Sequence, residues 1–127
     1  MKAALGAALI FCSSSFDSSQ TTASENKNQG ASGIASWYGS QFHGRRTASG
    51  EPFDMNKLTA AHRSLPFGSK VRVTNQATRD SVVVRINDRG PYAGNRLIDL
   101  SRAAARKVRL IEPGVGPVKL EVLQIAG

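Results

Sequence analysis

Only one cysteine, Cys12, occurs in the 127 residues. No disulfide can form within the chain, and any fold must be held by its core. Long apolar runs are also missing. The segment from Ala3 to Phe11 is far short of the roughly 20 apolar residues that span a bilayer. Acidic residues are scarce, with 9 Asp and Glu against 17 Lys and Arg and a net charge of +8. From Gly30 onward 15 basic residues face 7 acidic ones, so the whole surplus falls on the part of the chain that reads as folded. Such a field attracts polyanions, whether nucleic acid, anionic lipid or acidic polysaccharide, or serves simply as a soluble basic surface. No Gly-rich phosphate loop, no nucleophile elbow and no Ser-His-Asp order is present. The 2 histidines and the lone cysteine lack metal-ligand spacing, so neither a metal site nor a cofactor is expected.

What is present divides the chain into three parts. Lys2 followed by an apolar run to Phe11 reads as a signal segment over residues 1–12. Cys12 closes that run in an order that resembles a bacterial lipoprotein signal; the segment is then either lipidated at Cys12, with the membrane a partner only through that anchor, or simply cleaved. Residues 13–32 are rich in Ser, Thr, Asn and Gln, with Phe16 the one aromatic residue. Such a segment buries too little apolar surface to offset its ordering entropy, and reads as a flexible linker. Residues 33–127 form the domain.

Within the domain, Gly33–Tyr38 reads as a first strand and Gly39–Pro52 as a long loop of the kind that commonly carries function. Leu58–His62 is a short strand. Lys70–Thr74 and Ser81–Asn87 alternate with period two and form a hairpin across a polar turn. Arg96–Leu100 is another strand. Ser101 is a helix N-cap for Arg102–Val108, and Pro113, Gly114, Gly116 and Pro117 make a turn before the last strand, Val118 to Val122 or Ile125. About six short strands with one helix suggest a small closed barrel, which leaves no sheet edge exposed.

With nucleophiles and metals set aside, carboxylates on turns remain. Asp88 directly follows a strand, where rigid scaffold can hold a general acid, and it can equally close an Asx turn. Glu51, in the long loop, is a second carboxylate facing substrate or a solvated charge. His62 either tunes a carboxylate or is structural. Asp99, between Ile98 and Leu100, faces a cleft or pairs with Arg96. Trp37, Tyr38 and Tyr92 are core residues or platforms on which sugars stack.

Six segments in order carry a resemblance: Ala35–Gly39 (ASWYG), Thr47–Glu51 (TASGE), Leu58–His62 (LTAAH), Leu65–Gly68 (LPFG), Val84–Pro91 (VRINDRGP) and Ile98–Ser101 (IDLS). Together they resemble the rare lipoprotein A family of septal lytic transglycosylases. The resemblance implies a mainly β fold, a six-stranded double-psi β-barrel with one or two short helices. It implies endolytic cleavage of peptidoglycan between N-acetylmuramic acid and N-acetylglucosamine to leave 1,6-anhydromuramyl ends, on peptide-poor strands. It assigns catalysis to Asp88, Glu51 and His62 and matches Asp99 to an aspartate of the family; beside it, substrate binding is expected of Trp37, Tyr38, Ser49, Asn87, Arg89, Tyr92 and Asp99. The expected partners are glycan strands and division-site proteins, with no nucleic acid, and the expected state is a monomer in the cell envelope, periplasmic or anchored in the outer membrane. The rival expectation is a non-catalytic protein, either an expansin-like peptidoglycan binder or a division-associated envelope protein.

Overall fold

The computed structural model describes residues 30–126. The leader over 1–12, Cys12 and the linker up to residue 29 lie outside the described residues. Six strands are present: β1 (Ser32–Tyr38), β2 (Thr59–Ala61), β3 (Lys70–Asn75), β4 (Ser81–Asp88), β5 (Arg96–Ser101) and β6 (Val115–Gln124). One α-helix, α1 (Arg102–Lys107), and a single 3-10 turn (Ser40–Phe42) complete the described elements. The strands close into a barrel in the order β1-β5-β2-β4-β3-β6. Two pairings are parallel, β1 with β5 and β2 with β4, and the rest are antiparallel.

The period-two patterns explain the core. In the β3–β4 hairpin, Val71, Val73, Val82, Val84 and Ile86 turn inward, while Arg72, Val83 and Arg85 turn out. Ile98 and Leu100 of β5 and Val118 and Leu120 of β6 fill the remaining interior. α1 closes one side of the barrel by burying Ala104 and Ala105. Its start is fixed by Ser101, whose Oγ accepts from Ala104 N at 3.3 Å and donates to Lys57 O at 2.6 Å. Val108 is the C-cap and not the last helical residue.

Several bounds differ from the sequence reading: β2 is shorter, without Leu58 and His62, and β4 and β5 run one residue further, to Asp88 and Ser101. β1 begins at Ser32, and Ala31 O accepts from Leu120 N at 2.7 Å, so the barrel takes in the end of the expected linker. β6 begins at Val115, so Gly116 and Pro117, read as turn residues, are strand residues. Val115–Pro117 pair only with β1, because the β3 ladder starts at Val118 opposite Asn75. With one side free of a ladder, the N–H that proline lacks is not missed.

Candidate active site

Three strands place the site. β2 lies between β4 and β5, and Ala61 pairs with Asp88 on one side and Asp99 on the other. The aspartates therefore stand two strand spacings apart, roughly 9–10 Å between backbones, with only a methyl group between them. Asp88 owes its placement to a bulge. Ala60 pairs with Ile86 and Ala61 with Asp88, so Asn87 is an extra residue in β4. Unbroken alternation would put Asp88 on the core face with Val84 and Ile86; the extra residue removes it from that face.

A cleft of about 200 Å³ opens over this floor. Asp88, Asp99 and Ala61 line it, as do Tyr38 and Phe53, and Phe42, Arg45, Arg46, Thr47 and Arg89 also reach it. Alternation along β1 turns Ser36 and Tyr38 to the opposite face from the core residue Ala35. The Ser36 hydroxyl donates to Asp99 Oδ1. Arg96 Nε lies 3.8 Å from the same oxygen. The Tyr38 ring stacks on Phe53 at 4.6 Å and meets the edge of Phe42 at 5.7 Å. Its buried hydroxyl has no hydrogen-bond partner among the described residues. Burial raises the Tyr38 pKa above the usual phenol value, and the charges of Asp88 and Asp99 raise it further.

Asp88 Oδ1 accepts two backbone N–H groups, from Arg89 at 2.8 Å and Ala48 at 2.9 Å. With Oδ1 committed as an acceptor, the proton of the acid form belongs on Oδ2. Arg89 turns its guanidinium away, over the Phe67 ring at 4.0 Å and toward His62 O at 3.3 Å.

The other expected site residues are placed differently. Glu51 does not line the cleft; Arg85 holds its carboxylate through two bonds of 2.8 and 2.7 Å. Hydrogen bonding from Arg85 is the main cause that holds the Glu51 carboxyl below the usual range, and the same bond raises Arg85. His62 N donates to Asp88 O at 3.2 Å, but its ring serves the following turn. Nδ1 accepts from Ser64 N at 3.1 Å and Leu65 N at 3.2 Å, which puts the proton of the neutral ring on Nε2. Burial, then Arg89 and Arg63, lowers the His62 pKa and favours that neutral form.

Asn87 is buried, and its Oδ1 has no partner among the described residues. Ser49 lies in the loop turn, with its N–H on Asn87 O at 3.3 Å and its Oγ 3.0 Å from Thr47 Oγ1. Trp37 packs against the core, the alternative its position in β1 had left open. Tyr92 is exposed and is not part of the cleft wall. Among the described residues no group of three or more His, Cys, Asp or Glu gathers as a metal would need. Sequence reasoning missed Arg45, Arg46, Phe42 and Phe53. The available signal was an Arg-Arg pair flanked by aromatic residues within a long glycine-bearing loop.

Comparison with known proteins agrees with this architecture. The chain is 63% identical over 92 residues to the probable endolytic peptidoglycan transglycosylase RlpA of Synechocystis, covering 72% of this chain and 29% of that protein. It is 56% identical over 99 residues to the endolytic peptidoglycan transglycosylase RlpA of Neisseria meningitidis, covering 75% of this chain and 41% of that protein. The chain thus spans less than half the length of these curated relatives. Among solved structures, the Streptomyces papain inhibitor superposes with a TM-score of 0.62 at 23% identity, over 76% of this chain and 96% of the other. The apo expansin of Clavibacter michiganensis gives 0.60 at 22% identity, over 77% and 52%. These two likenesses establish the fold. A family model described as lytic transglycolase matches residues 30–120, and the chain, a double-psi β-barrel, belongs to that family.

Proposed function

We propose that this chain is an endolytic lytic transglycosylase of the cell envelope. On this reading it cleaves peptidoglycan strands between N-acetylmuramic acid and N-acetylglucosamine. The observation that carries the proposal is Asp88: a strand-end carboxylate on the cleft wall, with Oδ1 pinned by two backbone N–H groups and Oδ2 without a hydrogen-bond partner among the described residues. The identity to relatives named as endolytic peptidoglycan transglycosylases, one of them as a probable one, supports it.

In the proposed reaction, Asp88 Oδ2–H protonates the glycosidic oxygen as the C1–O bond of the muramyl residue breaks. Positive charge develops at C1. Asp99, across Ala61, faces and stabilises it. The muramyl C6 hydroxyl then bonds to C1, closing the 1,6-anhydro ring, and its proton passes to the Asp88 carboxylate, which restores the acid. No water is consumed. The unpaired Tyr38 hydroxyl donates to a sugar oxygen, and Arg45 and Arg46 at the cleft face the lactyl carboxylate that muramic acid exposes once its peptide is removed. Preference for peptide-poor strands, a monomeric state, division-site partners and anchoring through Cys12 belong to the same proposal.

Digestion of purified sacculi and of peptide-free glycan, with products read by mass spectrometry, tests it. Anhydromuramyl ends are expected from the wild-type chain and none from Asp88→Asn. Wild-type activity in that variant, or binding without anhydro ends, overturns the reading; the second result would point to a wall-binding module.

A further inference from the structure

The Thr47–Glu51 turn meets β4 at three points. Glu51 is bound by Arg85 through two hydrogen bonds, Ser49 N donates to Asn87 O, and Ala48 N donates to Asp88 Oδ1. Arg85 lies three residues before Asp88 on the same strand. The turn is stiff between these points. Thr47 N and Oγ1 both donate to Glu51 O, at 2.9 and 2.7 Å, and Gly50 N donates to Thr47 O at 2.9 Å. Displacing Glu51 therefore displaces Ala48, and Asp88 loses one of the two N–H groups that orient it.

We propose that Arg85 and Glu51 are a positioning pair, which seats the Thr47–Glu51 turn so that the Ala48 amide fixes the Asp88 carboxylate. Glu51 thus serves the reaction through Arg85 without touching the sugar. Two features support this. A two-pronged guanidinium–carboxylate pair fixes orientation as well as distance. Glu51 is also absent from the cleft wall that Asp88 and Asp99 share. The inference rests on Asp88 being the acid and extends that reading to a residue outside the cleft.

The test is a double-mutant cycle on the full chain with peptide-free glycan as substrate. Glu51→Gln and Arg85→Met should each lower kcat about tenfold with KM little changed, equivalent to about 1.4 kcal/mol. The double variant should be no worse than either single one, because both remove the same contact. The swapped pair, Glu51→Arg with Arg85→Glu, should recover part of the loss. By NMR, the Ala48 amide should move upfield and exchange faster with solvent in both single variants, as it does when Asp88 itself is replaced by Ala. A wild-type kcat in Arg85→Met beside a large loss in Glu51→Gln would place Glu51 on the substrate and overturn the proposal. So would additive losses, or an unmoved Ala48 amide. Activity in Asp88→Asn would remove the parent reading, whereas an inactive Asp88→Asn beside a fully active Arg85→Met would remove this inference alone.

Discussion

Replacing Tyr38 by phenylalanine removes one oxygen and leaves the ring clamped between Phe53 and Phe42. The hydroxyl is buried without a partner among the described residues. A buried polar group left unpaired costs about 1–3 kcal/mol. The oxygen is shielded from water although the Tyr38 side chain lines the cleft, so the penalty, taken at its lower end, is relieved when the oxygen is removed. Tyr38→Phe is therefore expected to leave stability unchanged or to raise it by up to about 1 kcal/mol, which is about 4–8 °C in Tm for a domain of this size. Activity should move the other way. On the proposed reading, substrate entering the cleft that Tyr38 lines gives this unpartnered donor a sugar oxygen, and losing a neutral hydrogen bond of about 1.4 kcal/mol lowers kcat/KM about tenfold. Circular dichroism melts and the release of anhydromuramyl ends measure the two quantities on one preparation. A clear fall in Tm would mean that the hydroxyl is already satisfied in the free protein. An unchanged kcat/KM would mean that it does not meet the substrate. Either result refutes the reasoning.

Other perturbations give separate checks. His62 has a lowered pKa, so below the ordinary imidazole value of about 6.5 the unfolded chain binds a proton that the folded chain refuses. Its share of stability is whole above about 6.5 and is lost as pH falls toward the lower folded value. Melts between pH 8 and pH 5 should show a shallower decline for His62→Gln than for the wild type, and identical slopes would refute the shift. Ser101→Ala removes the helix cap and leaves Lys57 O without its 2.6 Å donor. The expected loss is about 2 kcal/mol, read as a lower urea midpoint at unchanged slope. Ala61→Val adds two methyl groups between Asp88 and Asp99. It should cost about 1–3 kcal/mol of stability by overpacking and lower kcat/KM by at least about tenfold; full activity would show that substrate does not pass over Ala61.

Local physics made much of this molecule legible from one chain of letters. Alternating apolar residues in Val71–Val73 and Val82–Ile86 dictate inward and outward faces in any hairpin, and the observed pairing of Val71 with Val84 keeps both on the inward face. Ser101 before an Ala-rich run specifies a helix start by its own side chain. The ordered segments around Tyr38, Glu51, Asp88 and Asp99 pointed to the family and to a carboxylate site. These features depend on neighbours a few residues away, or on motifs that can be read as text.

The cleft is different, because its parts meet only through the barrel's crossovers. Period two alone would have buried Asp88 with Ile86; the bulge at Asn87, visible only in the pairing with β2, takes it off the core face. Glu51 and His62 have the residue types of catalytic groups, and only the structure shows the Glu51 carboxylate bound by Arg85 and Nδ1 of His62 by the Ser64–Leu65 turn. Asp99 reaches the cleft with Asp88 because a strand carrying only a methyl group at Ala61 runs between them. The sequence determined which side chains were on hand and which faces were apolar, because those follow from local periodicity. The tertiary structure decided which carboxylates share a cleft, because that depends on strand order and register, and neither is written in the spacing of residues along the chain.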